Sequence, residues 1–426
     1  ARYNLRLMRA LFKDIKGLVG CYENPPNYVA GDDMKNYPVL EKAWMEVVGE
    51  KIIGFGSMST CPKIPSGKAQ IISCTNRYII PSWCDSHSHL VYANDRAGEF
   101  LDRLRGLSYE EIAAKGGGIL NSATALQKLP EDDLFDRSLD RLLEIVRLGV
   151  GALEIKSGYG LTLKAERKML RVIKRLKQVS PIPIRATFLG CHAVPAEFDN
   201  SSDYTDHVIT DMLPQFVSEG LVDYVDAFCE TGYFSTVDVA RLIEAASKLN
   251  IKCKMHVNQF NILGGVKLCV NGGALSVDHL EIIDDADIAA LKESLITGSP
   301  TFPVALPLCS HFLGLPYTPG RKLVDAGLPL ALATDQNPGT SPSGDMTEVV
   351  RLGSLKMGLE PIEAIAAATL NGAAAMELES EVGTITPGKL ANFFITREMS
   401  GLEEIPYRMN DVVVEKVYVN GELWVG

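Results

Sequence analysis

Five of the seven histidines in this 426-residue chain fall directly after short apolar runs. His87 and His89 stand in Asp85-Ser86-His87-Ser88-His89, and His192 follows Gly190-Cys191. His256 ends the run from Lys252, His279 follows Asp278, and Asp335 closes the last run of the series. On an extended chain His87 and His89, two residues apart, project to one face and can converge on a single ion. An HxH pair alone is weak, since it arises often by chance. With His256 and Asp335 at later strand ends it becomes three imidazoles and a carboxylate. That donor set suits Zn²⁺, or Fe²⁺ as the second choice, and leaves a position for a water whose pKa such an ion lowers toward neutrality. The chemistry is metal-assisted hydrolysis.

From about residue 79 to 385, short apolar runs alternate with long amphipathic stretches, the pattern of repeated β-α units around a parallel sheet. The runs are Tyr78-Ile79-Ile80, Ala152 to Ile155, Ile184 to Leu189, Tyr224 to Phe228, Lys252 to His256, Ala274 to Val277, Thr301 to Ala305 and Leu328 to Ala333. Leu134 to Leu148, Lys164 to Leu176 and Val237 to Leu249 read as helices between them. Eight strands predict a closed (β/α)₈ barrel, whose active site lies at the C-terminal strand ends, where the histidines fall. Residues 1–78 and 386–426 read instead as short strands broken by Gly, Pro, Asn and Asp clusters. The expected organisation is therefore α/β: a barrel over 79–385 beside a small composite β-sandwich built from both termini.

The net charge of −11 argues against a nucleic-acid or membrane-surface partner, which would want a basic stripe. Nine cysteines without a CxxC pair predict neither a disulfide framework nor a zinc ribbon, and favour a reducing compartment. The N-terminal residues lack the features of a signal peptide and no apolar run is long enough to span a bilayer, so the expectation is cytoplasm.

Pro81-Ser82-Trp83-Cys84-Asp85-Ser86-His87-Ser88-His89 resembles the metal-binding opening of the amidohydrolase superfamily. Gly116-Gly117-Gly118-Ile119, Glu154 to Gly160, Ser276 to Glu281 and Asp335 to Pro342 are similar to the imidazolonepropionase family, and the similarity runs on to the closing Gly383 to Lys389. The resemblance implies hydrolysis of the ring amide of 4-imidazolone-5-propanoate to N-formimidoyl-L-glutamate, with one Zn²⁺ or Fe per chain, in a homodimer. Carried over by position, His87, His89, His256 and Asp335 match metal ligands, and His279 a catalytic histidine. Arg96, Tyr109, Tyr159, His192, Asn337, Gly339 and Thr340 match substrate-contacting positions. Arg96 offers a fork of donors for the propanoate carboxylate. His279 would donate to the developing oxyanion, and Asp335 would pass a proton to the departing ring nitrogen.

Gln259 departs from the pattern, because many family members carry glutamate there and an amide cannot act as a base. Either proton transfer falls to Asp335 and His279 while Gln259 positions substrate, or the chain is silenced. Asn94 and Gln336 also depart, and read as lineage variation. Two other functions compete. A ring deaminase of this fold would use a glutamate at position 259 as proton shuttle. A non-catalytic scaffold would have no reason to keep the four ligands with Arg96 and His279. Among the bland readings, Lys156 is a salt-bridged structural lysine, and Glu230 a solvated or N-capping residue. Cys191, Cys229 and Cys253 are core residues, His207 and His311 are structural, and Gly116-Gly117-Gly118 is a flexible loop near the barrel mouth.

Overall fold

The computed structural model describes residues 9–107, 111–112 and 115–426. Strands β1 (Arg9–Val19), β2 (Val39–Val48), β3 (Lys51–Ser57), β4 (Gln70–Ser73) and β5 (Tyr78–Pro81) open the chain. Next come β6 (Trp83–Asp85), β7 (Val150–Lys156), β8 (Ile184–Cys191), β9 (Tyr224–Cys229), β10 (Lys252–Val257), β11 (Ser276–His279), β12 (Phe302–Ala305) and β13 (Ala331–Leu332). Strands β14 (Phe393–Thr396), β15 (Val414–Val419) and β16 (Glu422–Val425) close it.

Strands from both ends form one mixed sheet in the order β16-β15-β14-β5-β1-β2-β3, with β4 also against β1. Its core gathers Phe12, Met45, Ile52, Ile79 and Ile395, and Phe12 meets the Phe393 and Tyr418 rings edge-on at 5.1 Å each. Such edge-to-face contacts add to the area the rings bury.

Strands β6 to β13 pair in chain order, and the pairs are parallel. The two ends of this sheet meet through backbone bonds just past their last strand residues. The Asp335 N–H donates to His87 O at 2.9 Å, and the His89 N–H donates to Gln336 O at 2.8 Å. Asp85 pins the same seam, accepting from the Thr334 N–H at 3.0 Å and from its hydroxyl at 2.6 Å. The barrel thus closes where three of the expected ligands sit.

Amphipathic helices Glu131–Arg147, Leu163–Val179 and Thr236–Lys248 cover the outside, close to their expected limits. Thr162 caps the second through the Ala165 N–H, and Ser235 with Asp238 forms a reciprocal capping box on the third.

One strand sits elsewhere than expected. Tyr78-Ile79-Ile80 belongs to the terminal sheet, parallel to β1 and antiparallel to β14. Trp83–Asp85, one residue beyond Pro81, is the first barrel strand and pairs with β7. Ile79 accordingly joins the terminal core, while Ile80 and Trp83 join the barrel's.

The barrel interior below its mouth is charged. Lys156 Nζ lies 2.7 Å from Glu154 Oε1 and 2.9 Å from Asp226 Oδ2, and Lys254 Nζ lies 3.2 Å from Glu154 Oε2. Thr187 donates to Glu154, and all five side chains are fully buried. These residues alternate with apolar neighbours along β7 and β10, so the polar set shares the lumen while Ile155 and Met255 join the hydrophobic core. Buried charges persist only when paired in this way. Lys156 is therefore the salt-bridged structural lysine expected of it.

Candidate metal centre and active site

His87 and His89 lie just past β6, on extended backbone that also accepts the Lys156 N–H at Ser88 O, 2.8 Å away. Their rings are 5.3 Å apart, and the His87 ring is 4.5 Å from that of His256 on β10. Ligand atoms of these three histidines all fall within 4.8 Å of one another. His89 Nε2 faces His256 Nε2 at 3.4 Å, and Asp335 Oδ1 lies 3.3 Å from His89 Nε2 and 3.5 Å from His87 Nε2. His87 Nε2 is fully buried without a hydrogen-bond partner. An orphaned buried imidazole nitrogen, facing two others and a carboxylate, fits a divalent cation.

The outer ring nitrogens are held from behind. His87 Nδ1 is 2.6 Å from Asp278 Oδ2, and His256 Nδ1 is 2.9 Å from Asp226 Oδ2. The Asp278 carboxylate fixes the His87 Nδ1–H tautomer and turns Nε2 toward the centre, while Asp226 faces the His256 ring and accepts its backbone N–H. Burial and the repulsion of Lys156 would lower the His87 pKa, but Asp278 and Asp335 lift it to about 9. Burial and the neighbouring His87 hold His256 well below its usual value. Burial would raise Asp335, yet the His87 and His89 imidazoles beside its Oδ1 keep it well below the carboxylate range.

His279 and Asp335 hold left-handed backbone at φ 90° and 54°. Such conformations cost about 1–3 kcal/mol each in non-glycine residues and concentrate at functional sites. His279 Nδ1 lies 3.2 Å from Glu281 Oε1, which also accepts from the Ser310 hydroxyl. Burial lowers the His279 pKa, but Glu281 raises it further, so the net shift is upward.

A small cavity opens over the centre, lined in part by His89, Arg96, Tyr159, His192, His256, Gln259, His279, Asp335, Asn337 and Thr340. The cavity wall thus includes all of the expected site residues except three. His87 sits beneath the lining, Gly339 lies against Arg96, and Tyr109 falls outside the described residues.

Arg96 is buried, and its Nη1 and Nε have no hydrogen-bond partner, although Nε lies 3.7 Å from Glu99. Gly339 packs so closely on it that a Cβ there would stand 1.5 Å from Nη2. The His192 ring stacks on His89 at 5.5 Å, and its Nδ1 is 2.9 Å from Gly158 O. A carbonyl only accepts, so Nδ1 carries the proton and Nε2 is left as an acceptor. Burial and the nearby His89 lower the His192 pKa to about 3, so the ring is neutral at pH 7. Gly158, at φ 111°, permits this contact, because a Cβ would lie 2.8 Å from Nδ1.

Asn337 is committed to its own loop. Its amide donates to Asp335 O and the Thr340 hydroxyl, and its oxygen accepts from the Gly339 and Thr340 N–H groups. Gln259 donates to Cys309 Sγ at 3.6 Å. Its loop is anchored by Glu230, which accepts from the Thr231, Phe260 and Asn261 N–H groups and the Asn261 amide. Glu230 is 2% exposed, so it ties down a loop and is neither solvated nor a helix cap as expected.

Three buried supports escaped the sequence reading. Glu166 accepts from the Gly158, Gly160 and Leu161 N–H groups and so shapes the Tyr159 turn. Glu281 lies inside a quoted motif but carried no role. Cys309, in the helix Pro307–Leu313, lies beside His279 and Asp335. Only Glu281 had a local signal, its position two residues after a strand-end histidine. His207 pairs with Asp211 and His311 with Tyr317, away from the cavity.

The amidohydrolase family model matches residues 78–424. Among curated proteins, the imidazolonepropionase of Christiangramia forsetii is 52% identical over 98% of this chain and 100% of its own length. That of Flavobacterium psychrophilum is 49% identical with the same coverage, and that of Pseudomonas fluorescens (strain Pf-5) is 40% identical over 84% and 88%. Among solved structures, Escherichia coli guanine deaminase superposes with a TM-score of 0.70 at 13% identity, covering 98% of both chains. A zinc-bound adenosine deaminase from Xanthomonas campestris gives 0.69 at 15%, over 98% and 93%. At such identities the structural likeness concerns the fold alone. By the length and level of its sequence identity, the chain belongs to the imidazolonepropionases of the amidohydrolase family.

Proposed function

We propose that His87, His89, His256 and Asp335 hold one divalent ion, zinc or iron, and that the cavity above them opens the ring of 4-imidazolone-5-propanoate. The chain is a hydrolase of cyclic-amide C–N bonds, acting in histidine degradation as its relatives do. When bound, the ion supplies a Lewis acid that makes water nucleophilic at neutral pH.

The chain's own groups divide the remaining work. Arg96 takes the propanoate carboxylate with its unpartnered donors. Neutral His192 accepts a ring N–H at Nε2, and Tyr159 packs beside it, 5.3 Å between ring centres. His279 donates from Nε2 to the ring carbonyl oxygen as charge gathers there. Asp335 takes the proton of the attacking water and delivers it to the leaving ring nitrogen. Gln259, an amide, orients substrate, while Asn337 and Thr340 shape the wall.

The observation that carries this reading is Arg96, a buried cation with free donors facing the same cavity as the histidine cluster. The reading extends to a cytoplasmic homodimer, and no helix among the described residues is long and apolar enough to cross a membrane. It also extends to a division into a barrel and a unit built from both termini, with the first boundary moved from 78/79 to beyond Pro81 because β5 lies in the terminal sheet. Support for the division is the sheet and core shared by strands from both termini.

The test is metal analysis alongside the ultraviolet loss of freshly made substrate, for wild type and Gln259→Glu. Turnover by wild type that tracks one metal per chain is expected. Turnover confined to Gln259→Glu would mean that the natural chain is silenced.

A further inference from the structure

A second donor cluster adjoins the first. A ring nitrogen of His279, Cys309 Sγ and a carboxylate oxygen of Asp335 all lie within 4.8 Å of one another, and all three residues are buried. His279 ends β11, while Cys309 and Asp335 follow the next two barrel strands, β12 and β13. One carboxylate therefore serves both groups, since Asp335 Oδ1 also faces His87 and His89. His279 Nδ1 is engaged by Glu281, which leaves Nε2 as the nitrogen free to ligate. The Gln259 amide donates to Cys309 Sγ, while burial, Asp335 and Glu281 hold that thiol protonated until a bound cation displaces its proton. A glutamate at 259 would set a second anion against that sulfur.

We propose that His279, Cys309 and Asp335 form a second, weaker site for a thiophilic divalent cation such as Zn²⁺, Co²⁺ or Cd²⁺, and that filling it inhibits the enzyme. One nitrogen, one sulfur and one oxygen, with water as the fourth ligand, make a tetrahedral set that soft or borderline ions favour. Binding forms the sulfur–metal bond and releases the Cys309 thiol proton to solvent. Asp335 would then serve both ions, as carboxylates can in two-metal sites. Inhibition follows because the second ion occupies the His279 nitrogen assigned above to the ring carbonyl, and this step rests on that assignment.

The test is a Co²⁺ titration of the enzyme as isolated with its resident metal, read by absorption spectroscopy and by activity, for wild type and Cys309→Ser. A near-ultraviolet sulfur-to-cobalt charge-transfer band is expected to grow as one further equivalent binds, with activity falling in step. Cys309→Ser, which keeps the resident metal, should lack the band and resist inhibition. A titration without the band overturns the proposal, and so does a band complete at the first equivalent per chain, which would make Cys309 a ligand of the primary centre. If the band and the second equivalent appear without inhibition, the site stands as a binding site, but its inhibitory part and the role assigned to His279 are overturned. Resident metal analysis tests the primary centre separately.

Discussion

His87 Nδ1 and Asp278 Oδ2 stand 2.6 Å apart, both fully buried, although 191 residues separate them in the chain. Asp278 also accepts from the Ser276 hydroxyl and lies 3.7 Å from Lys156 Nζ. The pair couples the proposed ligand His87 to the charged layer of the barrel lumen. Orientation of that imidazole is therefore a property of the core as much as of the site.

Asp278→Asn should lower metal affinity by about 10- to 100-fold, the usual effect of removing a carboxylate behind a ligating histidine. It should also destabilise the fold, since a buried pair broken on one side costs about 3–5 kcal/mol. Competition with a chromophoric chelator measures the first effect, and urea unfolding of the metal-loaded protein the second. Unchanged affinity would mean that His87 is oriented by other groups.

Gly339→Ala tests the wall behind Arg96. A Cβ 1.5 Å from Nη2 has to push the guanidinium aside. Losing a charge-assisted contact with the propanoate should raise KM by about tenfold or more, with a smaller change in kcat. Arg96→Lys should do the same, since an ammonium cannot reproduce the fork. A variant losing kcat at constant KM would tie Gly339 to the reaction centre instead.

The proposed ligands were legible because a strand end is written locally, as an apolar run followed by a polar residue. Which sheet a run joins is not written there, and Tyr78-Ile79-Ile80 shows the difference, pairing with β1 and β14. The supports were illegible for a related reason. Glu154 and Lys254 meet only because β7 and β10 face one lumen, and Cys309 reaches His279 only because β12 pairs beside β11. Asn337 fell between, since its type marks a possible substrate contact while its bonds close a turn.

Glu281→Gln should move the alkaline limb of the kcat profile to lower pH. Glu281 raises the His279 pKa against the lowering effect of burial. Neutral His279 would keep its proton on Nδ1, beside the carboxylate, and lose the Nε2 donor. Rate then falls as pH rises through the His279 pKa, and removing the carboxylate lowers that pKa. Glutamine still accepts from Nδ1, so ring placement is kept. A limb that stays in place would exclude His279 as the titrating donor.

Lys389 gives a prediction about stability alone. It is 5% exposed, and its ammonium donates to Glu379 O, to Val382 O at 3.2 Å and to the Thr384 hydroxyl at 2.7 Å. Burial pulls its pKa down to about 8, against weaker opposite effects of Cys84 and Glu379. An unfolded lysine titrates near 10.4, so between about pH 8 and 10 the unfolded chain holds a proton that the folded chain has released. Linkage then requires stability to rise with pH across that window and to be lost as pH falls through about 8. Lys389→Met removes this titration but not those of other groups. Urea midpoints of the two proteins, measured from about pH 7 to 10, should therefore diverge, with wild type gaining relative to the variant toward alkaline pH. Parallel curves would mean that the three oxygen acceptors around the ammonium keep it charged throughout, and that its burial carries no protonation cost.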